Sequence, residues 1–114
     1  MISLIVDECY AFDYLCILEI KKNINKNSNF DSWIECYHNI KSQIPDKFEE
    51  IINSIEYEAL YKANLLTFNA VERARTGKEI TAKEVDDCNM ERYYAKINLQ
   101  KTFFSNSIVR EKKL

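Results

Sequence analysis

Apolar residues recur every three or four positions along most of the chain, the period of helices that bury one face. Cys9, Phe12, Cys16, Ile17 and Ile20 make a first stripe, and Phe30, Trp33, Ile34, Tyr37 and Ile40 a second. Between Pro45 and Arg75 two stripes run side by side: Phe48, Ile51, Ile52, Ile55, Ala59 and Leu66 on one, Leu60, Tyr61, Phe68 and Val71 on the other. Val85, Cys88, Tyr93, Ala95, Ile97, Leu99, Phe103 and Phe104 define a last broad face.

The boundaries follow from the few residues that interrupt helices. Ser3 can cap a first helix, with Asp7 and Glu8 early in it where the helix dipole favours anions, and the stripe carries it to about Asn25. The polar stretch from Asn23 to Asn29 reads as a loop. Asn29, or Ser28 with Asp31 three residues on, begins a shorter second helix that ends before Pro45. Pro45 suits the first turn of a third helix, from about Asp46 to Arg75, which stops at Gly77. Thr81-Ala-Lys-Glu84 is a capping box that opens a fourth helix reaching about Phe104. The pattern predicts an all-α bundle of about four helices. The connection from Thr76 to Ile80 is so short that the third and fourth helices should fold back as a long antiparallel hairpin. The charged tail Arg110-Glu-Lys-Lys113 is free to fray, or to dock through Ile108 and Val109.

Composition narrows the class. One Gly and one Pro in 114 residues leave little punctuation for hairpins or sandwiches, and the length suits one domain over residues 1–114. The heavy use of Ile, Asn, Lys and Tyr reads as the bias of an AT-rich genome. A formal net charge of -2 provides no field to draw the chain onto nucleic acid or anionic lipid. There is no apolar run of membrane-spanning length, and the acidic start lacks the basic flank of a signal peptide, so a cytoplasmic location is expected. Cys9, Cys16, Cys36 and Cys88 form no C-x-x-C pair, and His38 alone could join them. They read as reduced thiols, with neither metal nor cofactor expected.

Polar residues then appear where apolar ones belong. Asn89, Arg92, Lys96 and Gln100 are spaced by three and four, in single file inside the apolar face of the fourth helix. Asp13 sits at the centre of the first stripe, and Asn64 and Arg75 lie within the third helix's second stripe, with Glu72 at its edge. Unpaired buried charge costs several kcal/mol, so these groups should pair, reach water or hold a ligand. Lys21, Arg75, Arg92 and Lys96 against Asp13 and Glu72 make four cations to two anions. That excess suits a small carboxylate or phosphate metabolite, with Asp13, Asn64, Arg75, Asn89, Arg92 and Lys96 as candidate ligand-binding residues. The competing reading is a satisfied network that only fixes helix register.

The blocks that carry these residues resemble a known family. Asp13-Tyr-Leu-Cys-Ile-Leu-Glu-Ile-Lys21 is similar to the opening "D-x-x-x-I-L-E-I-K" of small uncharacterised helical proteins of bacteria and marine phages, often found near surface-polysaccharide and glycosyltransferase genes. Asn64, Phe68, Glu72 and Arg75 keep the spacing of that family's central helix, with Phe68 at its usual Trp position. Asn89-Met-Glu-Arg92-Tyr-Tyr-Ala-Lys96-Ile-Asn98, followed by Ser107-Ile-Val-Arg-Glu-Lys112, resembles its closing blocks, although Ile97 directly follows Lys96 here and residues 22–46 match nothing in it. The resemblance implies no established activity.

Two functions are therefore weighed. One is a helical bundle whose polar, net-cationic seam binds a small anion. The arrangement has some likeness to chorismate-mutase-type bundles, but no acid–base pair can be singled out, so the pattern argues more against an enzyme than for one. The other is an adaptor or C2 homodimer with a merely structural network, in which Phe30, Trp33 and Tyr37 are candidates to meet another chain.

Overall fold

A computed structural model describes residue 2 and residues 4–104, with only the backbone described at 26–29; among these residues the chain is all-helical, without strands. Its five helices are α1 (Glu8–Ile24), α2 (Lys26–Gln43), α3 (Pro45–Ile52), α4 (Ile55–Arg75) and α5 (Ala82–Phe103). Helix α1 is the centre of the assembly, packing against α2, α4 and α5, while α3 bridges α2 and α4.

Five helices replace the expected four because the long third helix is broken. Ser54 leaves helical geometry at φ -85°, ψ 159°, and its hydroxyl accepts the Tyr57 N–H at 3.0 Å, capping α4. The break resets the phase of the apolar stripes. Tyr57, Leu60, Ala63 and Ala70 are buried on α4, whereas Ile55, Leu66 and Val71, which a continuous helix would have placed on an apolar face, are exposed.

The polar stretch 23–29 is likewise not a loop. Asn25 alone leaves the helix, at φ -134°, ψ 87°, and α2 begins at the next residue. Asparagine and lysine are tolerated on a solvated helical face, so polarity alone did not mark a loop there. At the other end α1 starts later than expected, with Asp7 as its N-cap. Ser3 and the tail from Ser105 onward, Ile108 and Val109 included, lie outside the described residues.

The end of α2 before Pro45, the start of α3 at Pro45 and the end of α5 at Phe103 match the sequence expectation, and so do the two boundaries between α4 and α5. Gly77, at φ 78°, closes α4: its N–H bonds the Ala74 carbonyl at 3.3 Å and the Lys78 N–H bonds the Arg73 carbonyl at 2.9 Å. That pair of bonds is a Schellman cap, which requires the left-handed geometry that glycine adopts cheaply. Thr81 accepts the Glu84 N–H at 3.1 Å to open α5. Arg73 then ties the two ends together, donating to Glu84 Oε2 and to the Glu79 carbonyl, both at 2.6 Å.

The core holds Cys9, Phe12, Leu15, Cys16, Ile40, Phe48, Ile51, Tyr57, Leu60 and Leu99. Phe12 is its hub, 6.1 Å from the Phe48 ring and 6.2 Å from Tyr57 in an edge-on arrangement. Trp33 and Tyr37 pack against this core, so most of the aromatic stripe of α2 faces inward, with Phe30 about half exposed at its end. Among the described residues no helix is long and apolar enough to cross a membrane.

Candidate functional site

Asp13 lies in the middle of α1, the helix covered on three sides, and is only 5% exposed. A carboxylate there survives because two other helices deliver donors to it. Asn64 of α4 donates from Nδ2 to Oδ1 at 2.8 Å. Arg92 of α5 forms a fork, with Nη2 to Oδ2 at 2.7 Å and Nε to Oδ1 at 3.3 Å. Bidentate pairing of this kind offsets much of the desolvation of both ions.

Lys96, one turn beyond Arg92, is 8% exposed and places Nζ 4.7 Å from the centre of the Tyr10 ring. Burial pulls its pKa below the ordinary lysine value; Asp13 opposes that shift and the Arg92 charge adds to it. Gln100, one further turn along, is fully buried. Its Oε1 accepts the Cys9 N–H at 2.8 Å and its Nε2 donates to Glu8 Oε1 at 3.0 Å. The side chain of α5 thus caps the first turn of α1, where the Asp7 side chain forms no capping bond. Gln100→Met should lower stability by about 1–3 kcal/mol, because it strands a buried amide. Urea unfolding, together with faster exchange of the Cys9 amide, measures that loss.

Of the six expected site residues, Asp13, Asn64, Arg92 and Lys96 are brought together and two are not. Arg75 is exposed in the last turn of α4 and pairs with its neighbour Glu72 at 2.8 Å. Asn89 is exposed on α5. Lys21 is exposed as well. The four-to-two cationic excess is therefore not assembled: what meets at the seam is Arg92 and Lys96 with Asp13, and Glu8 at the Gln100 end. Sequence reasoning placed Gln100 in the right file without a role, and it missed Tyr10, whose ring faces Lys96.

Two surface clefts flank α1, and neither is lined by Asp13, Asn64, Arg92 or Lys96. One, of about 860 Å³, lies between the start of α1 and α2, walled by Leu4, Ile5, Tyr14, Leu18 and Ile40. The other, of about 730 Å³, lies among α1, α2, the α3–α4 junction and α4, and three tyrosines, Tyr37, Tyr57 and Tyr61, are part of its wall. Among the described residues no three His, Cys, Asp or Glu side chains are grouped as a metal site requires. In comparison with known proteins, no family model, curated protein or solved structure matches the chain.

Proposed function

We propose that this protein is a self-associating helical module, a homodimer built on the face formed by Ile2, Leu4, Ile5 and Val6 and the α1–α2 cleft, with the polar seam serving structure. One observation carries the reading: Ile2, Leu4, Ile5 and Val6 are 87%, 77%, 86% and 48% exposed, and Tyr14 beside them is 57% exposed. Such a run of exposed apolar side chains, bordering a cleft whose lining mixes apolar residues with Glu8, Ser32, Glu35, Asn39 and Gln43, is the kind of surface that meets a partner. Arm and cleft lie on the same face, so a two-fold axis can set each arm against the other copy's cleft, the self-complementary arrangement of a C2 dimer.

The seam supports this reading by what it lacks. Both oxygens of Asp13 are occupied by Asn64 and Arg92, so an entering anion would have to displace an existing bidentate pair. Three of the family-like sequence blocks meet at this network, which suits a role in fixing how α1 sits on an antiparallel α4–α5 hairpin.

Analytical ultracentrifugation tests the proposal. The wild type should sediment as a dimer, and Leu4→Asp with Ile5→Asp as a monomer with an unchanged helical circular-dichroism spectrum. A wild type that stays monomeric at its highest soluble concentration removes the dimer reading.

A further inference from the structure

The second cleft carries an inference independent of the dimer, since it shares no lining residue with the first. Glu19 of α1 contributes its carboxylate, and Tyr37, Tyr57 and Tyr61 contribute rings from α2 and α4, with Leu15 and Leu65 completing the apolar wall. Glu19 is partly buried, and its carboxylate has no hydrogen bond or ion pair within the described residues. Lys22, whose charge acts on Glu19, and Lys62, which lines the same cleft, are both engaged elsewhere. Lys22 lies over the Trp33 ring, 3.8 Å from its centre. Lys62 is held by Glu58 at 2.9 Å. Tyr57 is 6% exposed, and its hydroxyl has no hydrogen-bond partner, with the weakly bonding Cys16 thiol as a polar neighbour. Asn23 donates to the Tyr61 hydroxyl at 2.9 Å, which holds that ring in place.

We propose that this cleft binds a primary alkylammonium ion, its charge against the Glu19 carboxylate and its methylenes against the tyrosine rings. A partly desolvated anion beside aromatic faces recognises an organic cation by ion pairing and cation–π attraction together. Burial raises the Glu19 pKa, with Lys22 opposing that shift in part, so a bound cation would favour the charged carboxylate. Glu58 on the same wall is paired with Lys62 at 2.9 Å, so Glu19 is the carboxylate that the cleft offers to a cation.

The test uses n-butylammonium, with 1-butanol as its neutral counterpart, against the full chain, followed by the tyrosine ring resonances in NMR titrations. Butylammonium should bind about tenfold more tightly than butanol, and Glu19→Gln should remove that difference, as expected for one charge-assisted contact. Glu19→Gln should also melt above the wild type at neutral pH, so lost binding there is not lost folding. Equal binding of the two probes, or butylammonium affinity unchanged in Glu19→Gln, overturns the proposal. A further arm with Nα-acetyl-lysine amide assigns the source: affinity equal to butylammonium points to a lysine side chain of a peptide, and weaker affinity to a free amine.

Discussion

Replacing Asp13 with leucine is expected to destabilise the protein by about 3–5 kcal/mol, the usual cost of removing one partner from a buried ion pair. The substitution removes both acceptors of the Arg92 fork and one of the two acceptors of Asn64, and it leaves Lys96, 8% exposed, without the carboxylate that favours its charged form. Leucine fits the apolar stripe of α1 by size and character, so packing is not the cause of the loss. The paired variant Asp13→Leu with Arg92→Met should recover a substantial part of it, because an apolar pair of similar volume avoids desolvating either ion. Urea denaturation of the three proteins gives the coupling directly. A wild-type midpoint for Asp13→Leu alone would mean that the network contributes nothing to the fold.

That network was legible because it violates the helical pattern. Asp13, Asn64, Arg92 and Lys96 stood out as polar residues on apolar faces, and they meet because those faces pack together. Arg75 and Asn89 carried the same signal and do not join them. Periodicity identifies the face a residue occupies but not how far along that face another helix covers it. Arg75 ends α4 near Gly77, and Asn89, three residues before Arg92 on α5, is exposed.

The helix boundaries divide in a similar way. Gly77 and Thr81 were readable because each is a strong signal with a single geometric use: a left-handed cap and a hydroxyl acceptor. Ser54 is a cap of the same chemistry as Thr81, but Tyr57 rather than Glu or Gln stands three residues on, so the capping-box signature is half missing and the apolar period runs through it. Glu19 was invisible as a site for a different reason. One carboxylate beside an apolar stripe is ordinary in a sequence, and its isolation arises only when Lys22 is drawn to Trp33 and Lys62 to Glu58.

The second large effect is on the alkaline limb of stability. Cys9 and Cys16 are completely buried, and desolvation is the main cause that pushes the Cys9 thiol up to about 12 and the Cys16 thiol higher still. The Tyr57 hydroxyl moves upward too, first through burial and then through Cys16. In the unfolded chain a thiol ionises near 8.5, whereas the folded protein retains both protons far above that pH. The folded state therefore binds more protons than the unfolded state, and stability is lost as pH rises from about 8.5 toward the folded values. Each thiol should remove about 1.4 kcal/mol per pH unit, and Tyr57 adds to the slope above about 10. Lys96 acts in the opposite sense: its folded pKa is lowered, so the unfolded chain binds the extra proton and stability gains toward the ordinary lysine value. One such lysine cannot cancel two thiols and a phenol. Urea midpoints measured in reducing buffer should fall steeply between about pH 8.5 and 10.5, and Cys16→Ala, less stable at neutral pH, should show a slope shallower by about one proton. A midpoint independent of pH over that interval would mean that the thiols ionise as readily in the folded chain as in the unfolded one, which would contradict the burial of Cys9 and Cys16 in the core.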